Sequence, residues 1–140
     1  MRAKRFEYSA AVERDGRLLG RDDAPLELPE GWSPEHLVLA GLGRCTLKSL
    51  NHHAEYAGVT VRGSARASGV VTRREEDERY AFVEIVCRLD VELDPLPEGA
   101  EITELLALAE RDCFIGASLT VPPRYEWRVN GTEVEPSRAS

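Results

Sequence analysis

Three cysteines, an arginine pair and one glutamate are the residues of this chain that could do chemistry. Cys45 lies in an apolar stretch beside Arg44 and between small residues, with Gly41 and Gly43 just before it. Cys113 follows Arg111 and Asp112 where a helical pattern stops, and Cys87 sits on the apolar side of a strand-like run. Buried cysteine behaves as a small hydrophobe, so inert packing is the plain reading for each, and it is the one adopted for Cys87. A thiolate at Cys45 or Cys113 would be a nucleophile, provided a cation holds it ionised. Their separation of 68 residues says nothing by itself about pairing. His52, His53 and Glu55 look faintly like a metal cluster, but adjacent helical residues point about 100° apart and metal-binding helices use i, i+4. A structural or solvent-facing role is the reading there. Asn130-Gly131-Thr132 matches a glycosylation sequon, and Arg73–Arg79 reads as a solvated turn. No phosphate loop, dinucleotide fingerprint, nucleophile elbow or HExxH is present.

The elements that must position these residues follow from periodicity. Lys4–Glu13 alternates as a strand, Asp15-Gly16 suits a type I′ turn, and Arg17–Arg21 returns as a second strand, with Ala24–Leu28 as a third. Ser33-Pro34-Glu35 opens a helix: a capping side chain, a proline at the first position and an acid at the positive end of the dipole. The helix is predicted to run to about Tyr56 and end near Gly58. Its first half is apolar almost all round, which predicts burial on every side, with Gly41 and Gly43 serving close backbone approach. Val59–Thr72 and Glu78–Leu93 read as long strands around a charged tip, the second with Ala81, Val83, Ile85, Cys87, Leu89, Val91 and Leu93 on one face. Glu101–Asp112 is an amphipathic helix, Cys113–Leu119 a turn or second helix, and Arg124–Val129 a last strand before an Asn130-Gly131 turn and a loose tail, Glu135–Ser140. The order is βββ-α-ββ-α-α-β, an α+β domain over residues 1–140. One sheet covers one side of the central helix, so burial logic predicts an interlocked homodimer.

Composition bounds the partners. The chain has 140 residues, 42% of them apolar and 31% charged, with a net charge of −7. That argues against nucleic acid or an anionic membrane as main partner. No apolar run approaches the ~18 residues of a membrane span, and Met1–Val12 lacks the apolar core of a signal peptide. Three cysteines without a CxxC pair exclude a disulfide framework and a four-thiolate zinc site. The expectation is a cytoplasmic protein.

Taken together, several segments resemble the OsmC/Ohr family of thiol-dependent organic hydroperoxide peroxidases. Arg14-Asp15-Gly16-Arg17 is similar to the hairpin that carries the family's arginine. Ser33-Pro34-Glu35-His36-Leu37 through Gly43-Arg44-Cys45 is similar to its central helix, and Ala109-Glu110 through Cys113–Leu119 to its second-cysteine segment. The resemblance implies that Cys45 is the peroxidatic cysteine and Cys113 the resolving one, that Arg14 holds the thiolate, and that Glu35 orients Arg14. Arg17 in the same hairpin is the alternative arginine. Leu37, Leu42, Phe114 and Leu119 would wall a site for a hydrophobic hydroperoxide. The resemblance also implies a swapped dimer and an external lipoyl-type dithiol as reductant, and no metal, flavin or haem. Two other readings compete. In a hot-dog-like acyl thioesterase Glu35 would be the catalytic carboxylate and the cysteines packing. In a redox-sensing or ligand-binding module the thiols would oxidise without turnover.

Overall fold

The computed structural model describes residues 3–136. The chain divides into two compact units, Met1–Glu35 and His36–Ser140. Of the tail expected at Glu135–Ser140, residues 137–140 lie outside the described residues, as do Met1 and Arg2.

The N-terminal unit carries a small antiparallel sheet of three two-residue strands, β1 (Ala11–Val12), β2 (Leu18–Leu19) and β3 (Pro25–Leu26), with a 3-10 turn at Arg21–Asp23. The strand expected over Lys4–Glu13 is therefore mostly unpaired. Alternation there is real, but Phe6, Tyr8 and Val12 are exposed within the described chain, and a sheet of two-residue strands has little apolar face to bury. The turn also differs from type I′. Only Gly16 has positive φ, at 90°, and the Gly16 amide bonds the Glu13 carbonyl at 2.9 Å while the Glu13 amide bonds Arg17 O at 2.9 Å. That is a three-residue loop of type I plus a left-handed glycine, in which Arg14 and Asp15 occupy the ordinary turn positions.

In the second unit a four-stranded sheet takes the order β4 (Thr60–Arg73), β5 (Tyr80–Asp94), β6 (Arg124–Val129), β7 (Thr132–Val134). β4 and β5 form a long antiparallel hairpin, whereas β6 runs parallel to β5. That parallel step needs a crossover, supplied by α2 (Gly99–Arg111) and the short α3 (Phe114–Ser118). Asn130 and Gly131 both take positive φ, 48° and 84°, as a tight two-residue hairpin between β6 and β7 requires. The Asn130 side chain then bonds the backbone of Leu93 on β5 twice, at 2.8 and 3.2 Å, which seals the end of the sheet.

Helix α1 (Pro34–Tyr56) starts at the expected proline. It ends as a Schellman motif: Val59 N bonds Ala54 O at 2.9 Å and Gly58 N bonds Glu55 O at 3.1 Å, with Gly58 left-handed at φ 71°. It is not buried on every side. Leu42, Gly43, Thr46, Ser49, Leu50 and Ala54 form its buried face, while Val38 is 39% exposed. A helix apolar all round signals cover on all sides, but a single chain supplies only one of them. The two glycines separate accordingly. A Cβ at Gly43 would sit 3.1 Å from Ala65 Cβ on β4, whereas one at Gly41 meets nothing within 4 Å.

The core joins Leu42, Leu50 and Ala54 of α1 to Ile85, Cys87, Leu89, Val91 and Leu93 of β5, Leu105, Leu106 and Ala109 of α2, and Trp127 and Val129 of β6. It is aliphatic, and each fully buried leucine contributes about 1.5–3 kcal/mol. Its one indole is satisfied, with Trp127 Nε1 donating to Glu110 Oε2 at 2.9 Å. The expected apolar face of β5 holds from Ile85 to Leu93 but not at Ala81 and Val83. The register with β4 slips between Val70 and Val71, pairing Glu84 with Val70 and Phe82 with Val71. The extra residue, Val83, reverses the alternation, so Phe82 packs on the core and Val83 is 38% exposed.

Candidate active site

Cys45 and Cys113 come together in the second unit, at the meeting of α1 with the segment that joins α2 to α3. Cys45 is half-buried and Cys113 fully buried. The Cys113 thiol and the backbone amides of Phe114 and Ile115 are the polar neighbours of the Cys45 sulfur. Burial is the main influence on Cys45 and pushes its pKa up, with Cys113 adding to the rise; the two amides oppose it.

Cys113 is held from two sides. Its Sγ accepts from Gly116 N at 3.4 Å, as the N-cap of α3. Thr46 Oγ1 lies 3.4 Å from the same sulfur. Thr46 donates its single hydroxyl proton to Leu42 O at 2.9 Å, so at the sulfur contact its oxygen accepts and the Cys113 S–H donates. The Tyr125 phenol completes the cluster, interacting with both Thr46 and Cys113; burial first, then the neighbouring thiols, pushes its pKa up. Cys87, paired with Tyr125 across β5 and β6, borders the same group. Burial pushes its thiol up to about 11, which agrees with a packing role.

Thr46 and Tyr125 were not singled out by the sequence. A threonine within an apolar helical stripe and a tyrosine alternating in a strand are ordinary core and sheet residues. Only the fold shows that they converge on a sulfur. Leu42 is 0% exposed and packs beneath this cluster, with its Cδ1 on the Gly116 side. Leu119 is half-buried against the core, Leu37 is half-buried on α1, and Phe114 is 52% exposed.

Arg14 and Glu35 belong to the N-terminal unit and are both exposed. In the hairpin, Asp15 takes Arg17: its Oδ1 accepts from Arg17 N at 3.0 Å and its Oδ2 from Arg17 Nε at 2.9 Å. No comparable bond to Asp15 is made by Arg14 among the described residues. Glu35 lies in the first turn of α1.

His53 is engaged by Asp112. Its Nε2 lies 2.7 Å from Asp112 Oδ2, and His52 meets His53 and Tyr56 edge-on at 5.3 Å. Among the described residues no group of three or more His, Cys, Asp or Glu is arranged to hold a metal ion. No helix among them is long and apolar enough to cross a membrane.

Comparison with known proteins bears on this site. Among solved structures the chain is similar to an OsmC-like protein of unknown function from Vibrio cholerae, with TM-score 0.74 and 17% identity, covering 89% of this chain and 100% of that one. An OsmC-like protein from Mycoplasma pneumoniae gives TM-score 0.68 at 19% identity, over 90% and 97% of the two chains. The organic hydroperoxide resistance protein OhrB of Bacillus subtilis gives 0.58 at 21%, over 88% and 98%. At these identities the likeness is one of fold. Among curated protein sequences none matches. The family described as OsmC-like protein matches residues 27–128, a span that holds α1, both cysteines of the cluster and the long hairpin. The chain therefore belongs to the OsmC-like protein family.

Proposed function

We propose that the protein is a thiol-dependent peroxidase that reduces organic hydroperoxides to alcohols. The observation that carries this reading is the pairing of a half-buried Cys45 with a fully buried Cys113 in one polar cluster. The more accessible thiol suits encounter with peroxide, and the enclosed one suits resolution. Family membership and the hydroperoxide-resistance names of structural neighbours agree with redox chemistry.

In the first step the Cys45 thiolate attacks the peroxide oxygen and the O–O bond breaks. The alkoxide takes up a proton and leaves as alcohol, and Cys45 becomes a sulfenic acid. Cys113 then forms the S–S bond; its proton joins the departing hydroxide as water. An external dithiol, of lipoyl type, reduces the disulfide by exchange and is itself oxidised. Because burial pushes the Cys45 thiol up, a cation must favour the thiolate. In this reading Arg14 supplies it, with Glu35 holding the guanidinium bidentately. Leu37, Leu42, Phe114 and Leu119 form apolar walls for the peroxide tail. A second copy covers the exposed face of α1, where Val38 is 39% exposed, giving a homodimer in the cytoplasm.

The test is decomposition of tert-butyl and cumene hydroperoxide with a dithiol reductant by wild type, Cys45→Ser and Cys113→Ser. Turnover abolished at Cys45 and rapidly inactivated at Cys113 supports the cycle. Turnover that survives Cys45→Ser, or none in a folded wild type with both thiols reduced, overturns it. Light scattering at micromolar concentration should give a dimer; a monomer removes that part of the reading.

A further inference from the structure

The peroxidase reading uses Cys113 but leaves unexplained what fixes its backbone against the helix that carries Cys45. Cys113 stands at a hinge of two residues: α2 ends at Arg111, Asp112 is its C-cap, and Cys113 is already the N-cap of α3. Such a hinge can swing unless something ties it down. On α1 the buried face runs Leu42, Thr46, Ser49, Leu50, and the next position at helical spacing is His53. Thr46 and His53 are thus on one side of the helix, seven residues and about 10 Å apart. Both reach the hinge. Thr46 meets Cys113 Sγ at 3.4 Å, and His53 Nε2 meets Asp112 Oδ2 at 2.7 Å. Asp112 is gripped again by Arg111, whose Nε and Nη2 lie 2.9 and 3.0 Å from its two oxygens.

We propose that the His53–Asp112 contact is a clamp that positions Cys113 for bond formation with Cys45. This rests on the two-cysteine reading and adds two positioning residues to it. The physical case is one of tolerance. A disulfide needs its Cα atoms about 4.4–6.8 Å apart and its Cβ vectors facing. Two anchors on consecutive residues, both to α1, hold the hinge in register with the helix that bears Cys45. The gain is effective concentration of one thiol at the other. The His53 side chain is 17% exposed and that of Asp112 35%, so water competes less here than at an open ion pair.

The test equilibrates the full chain with reduced and oxidised glutathione and maps the Cys45–Cys113 linked peptide by mass. Wild type, His53→Leu, His53→Gln and Asp112→Ala are compared, with urea midpoints recorded alongside. The disulfide equilibrium constant should fall roughly tenfold in His53→Leu and Asp112→Ala. His53→Gln, which keeps a donor, should retain most of it. Equal constants in all four proteins overturn the clamp, as does a loss in His53→Gln as large as in His53→Leu. A wild type that forms no Cys45–Cys113 bond in oxidising buffer overturns it too. The measurement needs no peroxide turnover, so a chain that forms the bond but consumes no hydroperoxide sinks the peroxidase reading alone.

Discussion

Thr46 and Cys113, 67 residues apart, meet at 3.4 Å in the core, with the threonine oxygen accepting the thiol proton. Thr46 is the helix neighbour of Cys45, so this contact ties the second-cysteine segment to α1 one residue from the first cysteine. A hydroxyl in an otherwise aliphatic core costs free energy unless its bonds are made. Here they are made to Leu42 O and the Cys113 sulfur, with the Tyr125 phenol as a further polar neighbour.

Replacing Thr46 by valine should therefore destabilise the protein by about 1–3 kcal/mol, through buried polar groups left without a partner. On a Tyr125→Phe background the cost should shrink, because one of those groups is gone. Urea midpoints of the four proteins in the double-mutant cycle measure the coupling. Additive effects would show that the two hydroxyls do not share a network.

Gly116 has ordinary backbone angles, so its lack of a side chain matters through space. A Cβ there would collide with the Tyr125 hydroxyl and come 3.4 Å from Cys113 Sγ. Gly116→Ala should cost about 1–3 kcal/mol by overpacking. Tyr125→Phe should recover part of that, since it removes the atom struck first. Thermal melts of the single and double variants check the order.

Alkaline pH should weaken the fold through Cys87. Its pKa is pushed up to about 11 from 9.0 by burial. A raised folded pKa means its contribution is complete below about pH 9 and is lost as pH rises through 11. Over that window the loss is on the order of 2–3 kcal/mol. Urea unfolding at pH 8 and pH 10.5 should show a smaller alkaline drop in Cys87→Ala than in wild type.

The two hairpin arginines should separate in thiol reactivity. Asp15 already bonds Arg17 through both its amide and its Nε, so Arg14 is the one proposed to act on Cys45. Arg14→Ala should move the pH profile of Cys45 alkylation upward, slowing reaction at neutral pH about tenfold for every pH unit the profile moves. Arg17→Ala should leave the profile near wild type. The reverse ranking would assign the role to Arg17.

Local pattern was enough for the parts of this protein that depend on neighbours in sequence. Pro34 and Gly58 bracket α1, because proline suits a first helical position and a left-handed glycine suits the end. Period-two alternation located the long hairpin, and Asn130-Gly131 marked the tight turn after β6. Cys45 and Cys113, which the fold brings together, were singled out through motif resemblance rather than spacing. Tertiary structure decided the rest. Alternation could not show that Val83 is an extra residue that turns Phe82 inward, since a bulge is defined by the partner strand. An all-round apolar helix could not show which of its sides this chain itself covers. Nor could composition bring Thr46, Tyr125 and Cys113 to one point, or set His53 against Asp112. Those contacts join α1 to segments some 60 to 80 positions away, and no periodicity spans such distances. Periodicity reports which face of an element is apolar; the pairing of faces is chosen by the packing of the whole chain.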